Sequence, residues 1–403
     1  MRILRIIARL NVGGPARHVV WLTRNLSNDD FDSVLVAGSV PEGEEDMAYF
    51  ASQNGVEPIF IQQMSRELSL RDFVSLGRIY RTIAKYKPDV IHTHTAKAGT
   101  IGRIAAFCYK WLTPSTLVGR PRRVRVVHTF HGHVFHSYYG GTKTRIFLMI
   151  ERMLARFATD RIIAISEQQF REICFQFRVG RAEQFTIVPL GTEFPPLHDY
   201  QQNRVATRRE LGINAHEIAV GFTGRLTEIK NLPLLLSVAE LAGRQRSDLR
   251  FVIVGDGSLR PELERLAPPN VTFLGNREDV ARLLPAFDII ALTSKNEGTP
   301  LSLIEGMAAG IPFVSTAVGG VVDLAGDQEE SRSGVAICER GILIHDQTPE
   351  NFLSGLNALI ADPKLQNRIS VNAREFVRNN YSLERLTSDI ERIYRELASD
   401  SIS

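Results

Sequence analysis

The stretch SKNEGTPLSLIEGMAAGIPFVST (residues 294–316) decides the fold, because it holds one complete unit of a pattern that repeats along the chain. It is entered from the apolar run DIIALTS (288–294), which reads as a strand. A polar loop follows as far as Pro300, then a helix over 301–309, then a second strand at 312–316. Neither strand alternates apolar with polar residues, which is the pattern of parallel strands covered on both faces. A proline near the first helical position does no harm, since the N–H it lacks would go unused there. The amide groups of Leu301, Ser302 and Leu303 are then unpaired at a helix start, where free N–H groups and the helix dipole favour an anion. Two carboxylates bracket this end: Glu297 on the loop and Glu305 one turn into the helix.

Working outward, the same strand–helix rhythm fills the chain. Strand-like runs fall at 2–8, 32–38, 57–61, 89–92, 124–130, 161–165 and 185–188, with helix-length segments at 15–27, 69–86, 97–111, 143–158 and 166–178. The rhythm halts at LGTEFPPLHDY (190–200), where Pro195-Pro196 suits neither a central strand nor a helix interior. It restarts with strands at 219–225, 250–257 and 271–275 and helices at 231–246, 261–267 and 281–287, ahead of the opening stretch. Alternating strands and helices make a doubly wound parallel sheet. The expectation is an α/β chain of two Rossmann-like domains facing a cleft, 1–194 and 195–380, with a tail 381–403. Within the tail, Leu383, Leu386, Ile390, Ile393 and Leu397 recur at helical spacing after a capping Ser382, so one face of the helix 382–397 must pack on something.

Composition bounds the rest. The 403 residues are 44% hydrophobic and 23% charged, which excludes a chain dominated by disorder and leaves room for two cores. Cys108, Cys174 and Cys338 are scattered without a C-x-x-C spacing, which argues against a disulfide framework or a cysteine zinc site and fits a reducing cytoplasm. There is no apolar run long enough to span a membrane. MRILRIIARL reads as a buried first strand and not as a signal peptide, because Arg5 and Arg9 interrupt it. Through residue 195 there are 26 Lys+Arg against 17 Asp+Glu, a balance of +9, leaving −6 for the remainder of a chain with net charge +3. The basic half includes GRPRRVR (119–125) and KTR (143–145), with Trp111, Tyr138, Tyr139 and Phe147 near them in sequence. Such a face suits anionic lipid or a phosphorylated acceptor, or is simply a solvated basic surface. No nucleic-acid motif accompanies the charge.

In open α/β sheets ligands bind beyond the carboxyl ends of the strands, so the segments after each strand carry the candidate chemistry. Gly13-Gly14 follows the first strand, and either lets backbone approach a phosphate or makes a tight turn. Arg225 ends the strand at 219–225 and Lys230 precedes the next helix. A guanidinium fork and an ammonium aimed at one spot suit a diphosphate, although two surface cations would look the same in sequence. Gly298, Thr299, Pro300 and Leu301 form the turn into the anion-favouring helix end. Glu305 can accept hydrogen bonds from ribose hydroxyls or serve the helix dipole; Glu297 can bind another polyol or remain a solvated loop residue. As a hydrolytic pair the two fit poorly. Eight helical residues would span about 12 Å at about 1.5 Å each, against roughly 5–9.5 Å between glycosidase carboxylates. Six of the ten histidines fall in HTHTAKAGT (92–100) and VVHTFHGHVFHS (126–137). With no acidic or cysteine partner at motif spacing they read as hydrogen-bonded groups rather than metal ligands, and His131 and His133 stand where an acceptor or sugar would be contacted.

Taken together these segments resemble the retaining nucleotide-sugar glycosyltransferases of glycosyltransferase-B architecture, in particular the large bacterial group 4 family. The resemblance rests on Gly13-Gly14, HTHTAKAG, HTFHGH, the Gly-Arg…Lys-Asn loop of Arg225 and Lys230, VGDG (254–257) and GTPLSLIEGMAAG with Glu297 and Glu305, in order along nearly the whole chain. It implies that Arg225 and Lys230 hold the donor diphosphate, Glu305 the ribose and Glu297 the donor sugar. It further implies that His131 lies beside the reacting sugar, its backbone carbonyl near the anomeric centre, and that the last helix returns to the N-terminal domain. It implies no essential metal and no other cofactor. The expected reaction transfers a sugar from a nucleotide diphosphate, commonly of uridine, to an acceptor hydroxyl with retained configuration. HTHTAKAG with HTFHGH resembles members that build surface polysaccharides on lipid carriers, so the expected partners are a lipid-linked saccharide and an anionic membrane surface on the cytoplasmic side. Two alternatives stand: a nucleotide-sugar 2-epimerase of the same build, and a non-catalytic nucleotide-sugar sensor. A dehydrogenase is disfavoured, since no G-x-G-x-x-G follows the first strand.

Overall fold

The computed structural model describes residues 1–11, 13–40, 46–64, 71–131, 141–332 and 334–399. His133, His136, Tyr138 and Tyr139 lie outside the described residues. The chain forms two compact units, Met1–Gly191 together with Leu383–Ser403, and Thr192–Ser382. The division falls three residues ahead of the expected 194/195 boundary, within the same proline-containing segment.

In the first unit, β1 (Arg2–Ile7), β2 (Asp32–Gly38), β3 (Ile59–Ile61), β4 (Val90–His94), β5 (Arg125–Thr129), β6 (Arg161–Ala164) and β7 (Phe185–Ile187) make one sheet. Its order is β3-β2-β1-β4-β5-β6-β7, and every pairing is parallel. The inner strands are buried on both faces, as their unbroken apolar runs require. The order reverses between β1 and β4, which is the switch point where such sheets open to a ligand.

The second unit has β8 (Ile218–Thr223), β9 (Leu249–Val254), β10 (Val271–Gly275), β11 (Ile289–Leu292), β12 (Phe313–Thr316), β13 (Gln328–Arg332), β14 (Val335–Cys338) and β15 (Ile342–Ile344). The order is β10-β9-β8-β11-β12-β15-β14-β13, with the switch point between β8 and β11. This sheet is mixed: β14 runs antiparallel to β15, and β13 antiparallel to β14. Strand β13, QEESR, is exposed along its length, and its charges blunt a sheet edge that would otherwise invite pairing.

Several helices are shorter than expected. Pro300 caps the helix Leu301–Ala308 from outside it, in an extended conformation. The segment 166–178 is a helix Glu167–Arg171, capped by Ser166, that runs into a π-turn Glu172–Gln176. Pro285 converts the end of 281–287 into a 3-10 turn, Leu284–Ala286. The last helix, Leu383–Ser399, belongs to the first unit. Its Leu383, Leu386, Ile390, Ile393 and Leu397 are buried, together with Tyr394, against Ile3, Trp21, Leu22, Val90, Val127 and Ile163. At about 1.5–3 kcal/mol for each large apolar side chain, that stripe accounts for the helix being held there.

Candidate active site

In the second unit the loops after β8, β9, β11 and β12 are interlocked. Gly224 (φ +153°) and Gly255 (φ +136°) approach so closely that a Cβ on Gly255 would strike the Gly224 carbonyl, and one on Gly257 would strike that of Leu226. Leu226 N–H donates to the Asp256 carbonyl at 2.9 Å, and Gly224 N–H to that of Val254 at 3.0 Å. VGDG is therefore a packing device that sets the path of the loop carrying Arg225 and Lys230. Arg225 is exposed on that loop. The other side of the loop is pinned to the segment after β11. Lys295 N–H donates to the Ile229 carbonyl at 2.8 Å, and Thr293 Oγ1 donates to the Lys230 carbonyl at 2.9 Å.

That pinning brings Lys230 and Glu297 together across 67 residues of sequence. Lys230 Nζ donates to Glu297 Oε1 at 2.5 Å, and Ser294 Oγ donates to the same oxygen at 2.6 Å. Both charged side chains are largely buried, so the pair is more than a surface ion pair. The turn Gly298–Pro300 leads to the half-buried Leu301 and Glu305 at the start of the helix. Of the three amides expected to be free there, that of Leu303 is not: the first turn closes on Pro300, whose carbonyl accepts the Leu303 N–H at 3.1 Å. The hydroxyls of Thr299 and of Thr223, at the end of β8, are buried without a hydrogen-bond partner among the described residues.

Two glycines that the sequence reading passed over complete this half. Gly319 has φ +52°, and a Cβ there would lie on the Glu297 carbonyl oxygen. A Cβ on Gly320 would lie on the Gly298 carbonyl, which accepts the Gly320 N–H at 2.8 Å. The Gly-Gly after β12 therefore shapes the loop that presents Glu297. Its sequence signal is the one already recognised after β1: paired glycines beyond a strand's carboxyl end.

In the first unit Gly13 (φ +153°) caps the helix Gly14–Asn25 that follows β1, so of the pair Gly13 takes the conformation that favours glycine. That helix carries His18 to His131, which follows β5, with ring centroids 4.8 Å apart. His94 Nδ1 and His131 Nε2 are 2.9 Å apart and share one proton donor between them. His92, two residues back on β4 and therefore on the same sheet face, stacks on His94 at 4.1 Å. His92 is fixed at both nitrogens, to Tyr394 Oη at 2.6 Å and Thr129 Oγ1 at 2.7 Å. Buried Arg5 on β1 reaches Tyr394 Oη at 3.5 Å. His128 faces the opposite side, bonded to Thr93 Oγ1 at 2.9 Å beneath Gly99. The backbone is strained at Thr95, a non-glycine residue at φ +64° directly after His94.

Burial, reinforced by neighbouring imidazoles and by Arg5, holds His18, His92 and His94 well below the usual imidazole range. Burial acts likewise on His128, reinforced by the charge of Arg103, and lowers His131 to about 3. The array is neutral at physiological pH. His18, His94 and His131 each bring one nitrogen within 4.8 Å of the others, and they are the one such group among the described residues.

Family comparison agrees with this architecture. The pattern described as Glycosyltransferase Family 4 matches residues 12–193, and that described as Glycosyl transferases group 1 matches residues 203–376. The UDP-Gal:alpha-D-GlcNAc-diphosphoundecaprenol alpha-1,3-galactosyltransferase of Escherichia coli is 27% identical over 388 residues, covering 92% of this chain and 91% of its own. The capsular polysaccharide biosynthesis glycosyltransferase CapM of Staphylococcus aureus is 22% identical over 349 residues, covering 84% of this chain and 85% of its own. Anabaena HepE, solved in complex with UDP and glucose, shares the fold with a TM-score of 0.74 at 21% identity, covering 98% of this chain and 99% of its own. Fold and matches define a glycosyltransferase with two Rossmann-like domains. The chain belongs to the group 4 glycosyltransferase family of glycosyltransferase-B architecture.

Proposed function

We propose that this protein is a retaining, metal-independent hexosyltransferase that moves a sugar from a uridine diphosphate sugar to a hydroxyl of a lipid-linked saccharide, in the building of a surface polysaccharide. The observation that carries the reading is the Lys230–Glu297–Ser294 constellation beside the β8/β11 switch point, with Arg225 exposed on the same loop. Uridine and the lipid-linked acceptor are supported by the name of the Escherichia coli relative, which matches over almost its full length.

In this reading Arg225 and Lys230, with the amide groups of Leu301 and Ser302 at the helix start, stabilise the diphosphate as it leaves. Gly298, Thr299 and Pro300 shape that approach, and Glu305 takes the ribose hydroxyls. Glu297 serves twice, orienting Lys230 and accepting from hydroxyls of the transferred sugar. Gly13 and Gly14 present backbone amides to the donor from the first unit, and His131 is assigned to the reacting sugar. The bond from the anomeric carbon to the phosphate oxygen breaks, and the acceptor oxygen bonds to that carbon from the same face. The acceptor's proton passes to the departing phosphate. An imidazole lowered to about 3 is a weak base at neutral pH, which favours the phosphate over His131 as the proton's destination. The protein works at the inner face of a membrane, where such acceptors sit.

The test is turnover of a UDP-sugar panel with a lipid-linked acceptor in chelator, with the product's anomeric configuration read by NMR. Arg225→Ala should lower turnover by about two orders of magnitude, the scale of losing one oxyanion donor. Near-normal turnover in that variant, or an isomerised nucleotide sugar formed without acceptor, would contradict the reading.

A further inference from the structure

The helix Gly141–Phe157 presents a solvent face with an unusual division. Inward it carries Glu151, which is completely buried and receives two hydrogen bonds from the equally buried Arg103, at 2.7 and 2.6 Å. Phe147, Leu148 and Ala155 face the same way, into a cluster with Phe130 and Ala164. That fixes the rotation of the helix. Over 144–157, where its side chains are described, the exposed positions are Arg145, Ile146, Met149, Arg152, Met153, Arg156 and Phe157. Four of these are large apolar side chains left more than half in water: Ile146 52%, Met149 56%, Met153 56% and Phe157 57% exposed. The other three are arginines, and no acidic residue shares the face.

The two kinds are not mixed. At about 100° per residue, Arg152, Arg145 and Arg156 fall within an arc of about 40°, and the four apolar residues within the adjoining arc of about 80°. A cationic strip therefore runs along an apolar strip from Arg145 to Phe157. Isolated exposed apolar residues are ordinary, but a periodic row of them is not. A protein partner would need an acidic ridge beside an apolar groove. An anionic bilayer offers both complements at once, phosphates at the surface and acyl chains just beneath, and the extent of the face suits a plane.

We infer that Gly141–Phe157 is an in-plane docking helix for an anionic phospholipid surface, with Ile146, Met149, Met153 and Phe157 entering the headgroup layer and Arg145 and Arg156 pairing with lipid phosphates. Arg152 is committed instead to the Phe177 carbonyl, at 3.0 and 2.8 Å. The inference rests on the lipid-linked acceptor reading for its purpose, and on the geometry of this face for its evidence.

The experiment is co-sedimentation of the full chain with vesicles of phosphatidylcholine alone and of phosphatidylcholine mixed equally with phosphatidylglycerol. Wild type should partition onto the anionic vesicles, less so near 0.5 M salt, where the screening length falls to about 4 Å. Arg145→Gln with Arg156→Gln should lower partitioning about 25-fold, at about fivefold per cation. Ile146→Ser with Met149→Ser and Met153→Ser should lower it at least about tenfold at either salt. Both sets should keep the wild-type melting transition and full turnover on a detergent-dispersed acceptor. Phe73→Ser with Val74→Ser alters another exposed apolar pair of the same unit and should leave partitioning unchanged. Loss there with none in the helix variants overturns the assignment. If the triple variant does not fold, Met153→Trp is the second readout: its added emission should be quenched by brominated lipid in anionic vesicles, and no quenching refutes insertion. A wild type that ignores anionic vesicles yet glycosylates a detergent-dispersed lipid-linked acceptor sinks the docking surface alone. One that binds vesicles and glycosylates no lipid-linked acceptor upholds the surface and sinks the acceptor reading.

Discussion

Replacing Gly319 by alanine separates the two demands this position meets. Its φ of +52° lies in the left-handed region, where an L side chain costs roughly 1–2 kcal/mol. The new Cβ would also fall on the Glu297 carbonyl oxygen, short of a tolerable contact by about 1 Å or more, and the obstacle is backbone rather than a side chain that can swing aside. Glu297 must therefore retreat by about that distance, taking its contact with Lys230 along. A displacement of about 1 Å in a positioning group can cost about 100-fold in rate. Gly212→Ala is the control, since its φ of +65° carries the same strain and nothing lies within 4 Å of the added carbon. Gly320→Ala is the converse, a clash with the Gly298 carbonyl at an ordinary φ of −67°. Melting curves and donor-dependent turnover read the series. Gly212→Ala should lose about 1–2 kcal/mol, or some 2–4 °C per kcal/mol, with full activity. Gly319→Ala and Gly320→Ala should lose about two orders of magnitude in kcat/KM for the donor. Turnover within a few-fold of wild type in Gly319→Ala, or an equal activity loss in Gly212→Ala, would refute the reasoning.

Two further outcomes follow from the buried histidines. His18, His92, His94, His128 and His131 titrate below the unfolded value of about 6.5, so below that pH the unfolded chain binds more protons than the folded one. Stability is complete above about pH 7 and should fall as pH drops through 6, by up to about 1.4 kcal/mol per pH unit for each histidine that stays neutral; a melting temperature flat from pH 7.5 to 5.5 would contradict this. Tyr394→Phe strips a hydrogen-bond partner from buried His92 and Arg5 and should cost about 1–3 kcal/mol, read as an earlier melting transition. An unchanged transition would show that the hydroxyl does not tie the last helix to β4.

The parallel strands were legible because a strand covered on both faces must be apolar throughout, as IIAL of β11 and FVST of β12 nearly are. The return of the last helix was legible as a need for cover, from five apolar positions at helical spacing. Within 317–381 the helices Pro349–Ala361 and Pro363–Asn380 carry readable signals, capping Thr348 and Asp362 and a proline at the start of each, whereas the strands do not, and for them the reason is physical. Strand β13 is polar because it is an exposed edge, and β14 and β15 are too short for periodicity to emerge. Of the candidate site, Lys230 and Glu297 were identified one by one from their places after strands, but their ion pair depends on how two loops pack, which spacing does not encode. His18 was missed because a lone histidine in an apolar helix resembles any core residue; only the fold reveals that it abuts His131.

The most direct measurement is calorimetric titration of UDP into wild type and into Lys230→Ala, with retained folding verified by circular dichroism. If the loops after β8 and β11 form a diphosphate grip, wild type should bind UDP and the variant should bind at least about tenfold more weakly, since a hydrogen bond to a charged group contributes about 1.5–3 kcal/mol. Equal affinity in the two proteins, or no binding to wild type, would contradict the assignment of that site.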